Sequence, residues 1–422
     1  MRKDLRDERT YWEERWAEQL WRWAKAAGMS RRRFLSLLAG GSGAAVLAAC
    51  GPASTGAKAE TAPAPQTPAA KPQIHAKPTP SDLFIHHGTN QEMRWETMYG
   101  RGYIMPNSLF FIRNHDPSPA IDVKTWRLKV EGSGVTRPLE LTYDEILRLP
   151  STSVVRYVEC AGNGRGFYNE VLGKPAKGTQ WRLGAYGVAE WTGVRLGEIL
   201  NRAGLKRSAV DVMPTGLDAR KIERPMPVAK ALEDDTLLVY AMNGDVLPAD
   251  HGFPVRVLVP GWIGIASIKW VGRLLVSEEP IFVEKNTKDY VLIGPDFPEK
   301  PPAKGPILTF QTLKSAAALP WPATLSAGQN LIRGYAWSPH GKIAKVQYSV
   351  DGGKTWAVAQ LREPNLSRAG ARWEFAWAPK PGDYTLMTRA TDEKGNTQPD
   401  TVRWNELGYE FSAVVRHPIK VT

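Results

Sequence analysis

Cysteine is scarce. Across 422 residues only Cys50 and Cys160 occur, so no disulfide framework holds this fold together. The same shortage excludes a Cys-rich zinc or iron–sulfur site, and no Cys-x-x-Cys-His offers covalent haem attachment. The seven histidines include no His-x-x-x-His pair, and the adjacent His86 and His87 face different ways, which argues against a zinc hydrolase. Beyond residue 50 no charge-free apolar run approaches the ~18 residues of a membrane span, so a multi-span membrane protein is excluded. Internal repeats are absent. What is present is the balance of a globular chain, with 42% hydrophobic and 23% charged residues. At ~100–200 residues per domain, the length allows two to four domains. Any redox chemistry must use a cofactor held without a cysteine cluster.

The net charge is +12. Residues 1–33 carry ten basic and six acidic side chains, and 34–50 carry none. No basic run with interleaved aromatics follows, so nucleic acid is not an expected partner. A mildly basic surface of this kind suits a small anion or an acidic protein.

The first fifty residues read as an address. Ser30-Arg31-Arg32-Arg33-Phe34-Leu35 precedes an uncharged stretch to Ala49, too short and glycine-rich for a good span. The arginine pair followed by Phe-Leu resembles a twin-arginine signal, the route taken by proteins exported already folded. Leu47-Ala48-Ala49-Cys50 resembles a lipobox, with Cys50 as the lipidated residue and a membrane anchor. Residues 1–28, with Trp12, Trp16, Trp21 and Trp23 among alternating charges, read either as an amphipathic surface helix or as an extension before a start at Met29. From 51 to 80 the chain is rich in Ala, Pro, Thr and Lys, and is expected to be a flexible tether.

Folded sequence is expected from 81 to 301. Short helices over 142–149 and 196–203 mix there with apolar strands at 154–158, 236–241, 255–259 and 268–276, without the regular alternation of a doubly wound sheet. That mixture predicts an α+β domain. Pro301-Pro302 marks a boundary, after which the apolar period becomes two. Val346, Tyr348 and Val350 alternate up to Asp351-Gly352-Gly353, and Trp356 and Val358 resume the pattern, a hairpin signature. Further strands at 373–377 and 384–387 make 302–422 an expected immunoglobulin-like β-sandwich.

The chemistry concentrates at Arg156-Tyr157-Val158-Glu159-Cys160-Ala161-Gly162-Asn163-Gly164-Arg165-Gly166, a strand running into a glycine-rich turn. Glycines let backbone N–H groups approach a bulky or anionic group. Cations near Cys160 would favour the thiolate, the form that ligates metals. On composition alone the cysteine could equally be buried and inert.

Cys160-Ala161-Gly162-Asn163 with Arg165 resembles the molybdenum-binding motif of the sulfite oxidase family. Four other strings support the resemblance in collinear order over 81–422: Phe110-Phe111-Ile112-Arg113-Asn114-His115, Asp250-His251-Gly252-Phe253-Pro254-Val255-Arg256, Lys269-Trp270-Val271-Gly272-Arg273 and Gln398-Pro399-Asp400-Thr401. It implies a molybdopterin-binding catalytic domain followed by an Ig-like dimerisation domain, with a homodimer as the assembly. It implies Mo-molybdopterin as cofactor, one pyranopterin with Cys160 as the protein's metal ligand. No haem domain is expected before Asp82, so no haem is expected in this chain and electrons would leave to a separate carrier. Asn114, His115, Asp218, His251, Arg256, Ser267 and Lys269 match positions that contact the pterin or its phosphate. Arg113 and Arg165 match anion-binding arginines, Trp181 a pocket tryptophan, and Tyr290 a tyrosine that hydrogen-bonds near the metal.

Two departures concern the anion cup. Gly164 stands where sulfite oxidases usually have a further arginine, and Trp404-Asn405-Glu406-Leu407-Gly408 lies where the animal enzymes place another. The expected activity is oxidation of sulfite to sulfate outside the cytoplasm, with electrons leaving to a c-type cytochrome or similar carrier. Alternatives are a sulfane dehydrogenase, a sulfoxide or nitrate reductase, and, from another class, a cofactor-free lipoprotein whose sandwich binds a partner.

Replacing Arg31 and Arg32 by Lys should strand folded protein in the cytoplasm, as read by cell fractionation. Mass spectrometry of the mature N-terminus tests the anchor: an unmodified terminus downstream of Cys50 would exclude lipidation.

Overall fold

The apolar run at 154–158 lies inside a nine-residue strand, Ser151–Glu159, that delivers Cys160 to the end of a sheet. A computed structural model describes residues 75–422. The twin-arginine pair, Cys50, the tryptophan-rich stretch and residues 51–74 of the expected tether lie outside them. The expected helices form at Tyr143–Leu147 and Leu196–Arg202. Thr142 caps the first. Its hydroxyl accepts from the Glu145 amide at 3.2 Å while the Glu145 carboxylate accepts from the Thr142 amide at 2.7 Å. The second helix buries Leu196, Ile199 and Leu200 against the sheet core.

Two sheets build the catalytic half. In the first, Asp245–Val246, Leu237–Met242, Tyr186–Arg195 and Ser151–Glu159 lie side by side, all antiparallel, and Arg256–Leu258 also pairs with Leu237–Met242. In the second, Leu139–Leu141, Leu128–Glu131, Val271–Ser277, Asp211–Gly216 and Met226–Pro227 are adjacent, and only Leu128–Glu131 with Val271–Ser277 is parallel. Antiparallel pairing needs no crossover helices, which is why helices stay few and short in this α+β domain. Leu128, Val130, Leu274 and Val276 meet Ile146 and Leu200 in its core.

The sandwich begins at Lys314. A four-stranded sheet (Lys314–Ala317, Asn330–Trp337, Gly370–Trp377, Gln360–Leu366) faces a five-stranded one built around Gly382–Asp392. Ile332, Trp373, Phe375, Val346 and Leu386 fill the space between them. The expected hairpin is present, with Tyr348 opposite Ala357. Its turn is tied by Asp351, whose carboxylate accepts from the Thr355 and Ser349 hydroxyls and from the Lys354 and Thr355 amides.

The sandwich is also bonded into the catalytic half. Tyr157 donates its amide to the Arg368 carbonyl at 3.0 Å, extending the edge of the Ser151–Glu159 strand into the second domain. Arg368 joins Asp235 and Glu233, and Asp235 also takes Arg156 at 2.9 Å. Trp337 stacks on Tyr186 with ring centroids 4.1 Å apart. Deepest of all is an ion pair between Lys314 and Glu159 at 2.6 Å, with side chains 4% and 0% exposed.

Breaking such a buried pair by removing one partner costs about 3–5 kcal/mol, a large share of the ~5–15 kcal/mol that holds a domain folded. A chain truncated after Pro301 should therefore be insoluble or lack a cooperative melt, as read by size exclusion and circular dichroism. A soluble, cooperatively melting catalytic half would contradict this.

Candidate active site

Cys160 owes its place to the strand before it. Glu159 still pairs with Tyr186, the Cys160 amide donates to the Ala185 carbonyl at 2.9 Å, and the chain then turns sharply. The turn closes when the Asn163 amide donates to the Cys160 carbonyl and the Arg165 amide to Gly162. Two of its glycines are required sterically. A Cβ on Gly162 would lie 2.5 Å from the Arg165 guanidinium, and one on Gly164, at φ +96°, would lie 2.6 Å from the Phe411 ring. Phe411 thus fills the room an arginine at 164 would need.

Cys160 is a free, buried thiol on the wall of a cleft. Ten of the twelve residues singled out from sequence line that cleft: Arg113, Asn114, His115, Cys160, Asp218, His251, Arg256, Ser267, Lys269 and Tyr290. The other two stand back from it. Trp181 is buried behind Phe111, edge-on at 6.3 Å. Arg165 donates to the carbonyls of Leu407 and Thr179, both at 2.7 Å, and its guanidinium lies over the Tyr409 ring. Tyr409 in turn stacks on Tyr290 at 5.2 Å, so an aromatic pair stands behind the cleft wall on that side.

At the Cys160 end, Arg113 donates to the Tyr290 hydroxyl at 3.3 Å. Burial works to lower the Arg113 guanidinium, but Tyr290 and Cys160 beside it raise it on balance. Burial raises the Tyr290 phenol, so it stays a donor, and its backbone adopts φ 51°, a conformation uncommon outside glycine. His115 is pushed down to about 2 by burial and by Arg113, Lys285, Arg220 and Lys269, which keeps its ring neutral.

The far end gathers cations with few anions. Arg256 donates to the carbonyls of His251 at 3.1 Å and Ser267 at 3.0 Å, while its buried Nε has no partner. Burial lowers Arg256 to about 9, and lowers Lys269 and His251 well below their usual values. Lys269 donates to the Asn114 side chain and to the Asp250 carbonyl. Asp218, raised by burial, accepts from the Ile222 amide. An unsatisfied guanidinium N–H beside a desolvated lysine and histidine calls for a buried anion with oxygen acceptors. A pyranopterin phosphate supplies that, and the thiolate form of Cys160 supplies a soft metal ligand in the same cleft. The residues fit the group.

Several contributors escaped the sequence reading. Trp270 lines the cleft at φ 53° and Gly264 adjoins it, although Trp270 sits within a string already singled out. Residues 75–77, expected to be tether, pack instead. The amides of Ala76 and Lys77 donate to the Asp250 carboxylate at 2.9 and 2.8 Å. Lys77 Nζ donates to the carbonyls of Asn107 and Phe110 and lies 3.4 Å from His251 Nε2. The only hint was the lysine itself.

The chain is similar to several known proteins. Residues 115–284 match the family model described as oxidoreductase molybdopterin binding domain, and 312–422 match the Mo-co oxidoreductase dimerisation domain. The mitochondrial sulfite oxidase of Rattus norvegicus is 36% identical over 346 residues, covering 76% of this chain and 62% of the relative. The chain thus spans about three fifths of that relative's length. The sulfite oxidase of Gallus gallus is 37% identical, covering 72% of this chain and 71% of its own. The NADH nitrate reductase of Ulva prolifera is 31% identical over 78% of this chain and 42% of its own. Among solved structures, the sulfane dehydrogenase from Paracoccus pantotrophus superposes with a TM-score of 0.70 at 29% identity, covering 77% of this chain and 82% of that one.

Lys77 yields a pH test. Burial is the main cause that lowers its amine from 10.5 to about 7, with Asp250 opposing. Between those values the unfolded chain binds the extra proton, so stability rises with pH across the window, and below about 7 the full cost of burying the ammonium remains. In paired urea melts of cofactor-free protein, the stability of wild type relative to Lys77→Met should therefore grow from pH 7 to pH 10. A pH-independent difference would contradict the lowered value.

Proposed function

Because this chain belongs to the sulfite oxidase family of molybdopterin-dependent oxidoreductases, we propose that its cleft binds sulfite and that the enzyme oxidises it to sulfate. The observation that carries the reading is Cys160 and the Arg113–Tyr290 pair on one wall, with the partnerless Arg256 Nε on the same cleft. Molybdopterin, when bound, would supply the two-electron oxygen-atom transfer. Everything else falls to side chains. Cys160 would hold the metal, and His251, Arg256, Ser267, Lys269, Asn114, His115 and Asp218 would hold the pterin and its phosphate. Arg113 supplies fixed positive charge where an anionic substrate enters. The Tyr290 oxygen accepts from Arg113, which leaves its own proton free to point toward a substrate oxygen. Donors held in place before substrate arrives need no reorganisation during reaction. Neutral His115 lends a hydrogen-bonding ring without adding charge.

Sulfane sulfur is the second reading, favoured by the sparse cation set around Cys160. Gly164 has Phe411 against it, Leu407 replaces a further arginine, and Arg165 is spent on carbonyls. Export by the twin-arginine route, anchoring at Cys50, a c-type cytochrome as electron acceptor and a homodimer built through 312–422 belong to the same proposal. The N-terminal motif supports export and anchoring, and the dimerisation-domain match supports the homodimer.

Cys160→Ser should abolish turnover while pterin content largely persists, because the phosphate end of the cleft is untouched. Arg113→Gln should raise the sulfite KM more than it lowers molybdenum content, and should do so more strongly than Arg165→Gln, whose guanidinium stands behind Tyr409. One metal-replete preparation assayed by dye reduction with sulfite and a sulfane, and by reduced-dye oxidation with a sulfoxide and nitrate, decides the substrate. Full molybdenum with no sulfite-dependent reduction would end the sulfite reading.

A further inference from the structure

We propose that Lys314 and Trp337, both in the sandwich, are positioning residues for the Cys160 ligand, acting through Glu159. The proposal rests on Cys160 as the metal's protein ligand. Glu159 is fully buried and directly precedes Cys160. One carboxylate oxygen accepts from Lys314 Nζ at 2.6 Å and Asn163 Nδ2 at 2.9 Å, and the other accepts from Trp337 Nε1 at 2.9 Å. Lys314 also donates to the Asn163 carbonyl at 2.9 Å, and the Gln311 side chain donates to the Glu159 carbonyl. Both ends of the Glu159–Asn163 turn are thus gripped by the second domain.

There is no slack on the opposite side. A Cβ on Gly264 would stand 2.6 Å from the Glu159 carbonyl oxygen and 3.5 Å from the Cys160 Cα. The backbone that carries the thiolate is wedged between Gly264 and the sandwich, so movement of Glu159 moves Cys160.

The test uses full-length, cofactor-loaded protein carrying Lys314→Met, Lys314→Arg or Trp337→Phe. Molybdenum and pterin content are measured beside the paramagnetic molybdenum signal and its midpoint potential in dithionite titrations, which need no substrate. Lys314→Met should keep its pterin and shift both the signal and the potential, with metal affinity or turnover down by about 10–100-fold, as for other groups that orient a ligand. Lys314→Arg should restore the signal. A wild-type signal and potential in pterin-loaded Lys314→Met would overturn the proposal. Should that variant fail to fold, Trp337→Phe keeps the ion pair and decides, an unshifted signal again overturning it. Wild-type protein without molybdenum would overturn the reading of Cys160 itself, and this proposal with it.

Discussion

A carboxylate removed entirely from water is stable only if every oxygen finds a donor and its charge finds a partner. Glu159 meets both conditions by drawing on two domains, with Asn163 from its own turn and Lys314 and Trp337 from the sandwich. Well-packed apolar groups of similar volume are often neutral or stabilising in place of such a pair. What the pair does here is tie the docking of the two domains to the satisfaction of Glu159. The cleft depends on that docking, because Cys160 is the next residue and Phe411 and Tyr409 close the same side of the turn.

The cleft itself is under electrostatic tension. Burial lowers Lys269, His251 and Arg256, with neighbouring cations adding to the effect on Lys269 and His251, and Asp250 is occupied by the Ala76 and Lys77 amides and the Ser118 hydroxyl. An array with more donors than acceptors favours an anionic cofactor over water. The same network binds Ala76 and Lys77 behind the Arg256–Lys269 end of the cleft. His75 extends that contact with Gln91 at 2.9 Å.

At the Cys160 end the cleft is only lightly cationic. Arg113 stands on the wall, while Arg165, equally conspicuous in the motif, is turned onto two carbonyls and an aromatic ring. Its guanidinium fixes the Leu407 and Thr179 segments against the Cys160 turn. Of the two arginines, only Arg113 lines the cleft, paired with the Tyr290 hydroxyl.

Sequence alone determined what short-range rules govern. The glycine-spaced turn around Cys160, the short helix over 142–149, and the period-two hairpin around Asp351-Gly352-Gly353 were legible because each depends on neighbours within a few positions. The ordered family strings placed most of the cleft on the same grounds, since each string folds as one loop or strand end. Tertiary structure decided the remainder. Whether Trp181 and Arg165 face the cleft depends on χ angles and on Phe111 and Tyr409, far apart in the chain. Lys77 looked like a solvated tether lysine until Asp250, 173 residues later, took its amide. Lys314 and Glu159, 155 residues apart, carry no local sign of each other. A buried charge announces its partner only through space, because what forces the pairing is the absence of water, and no sequence pattern records where water is excluded.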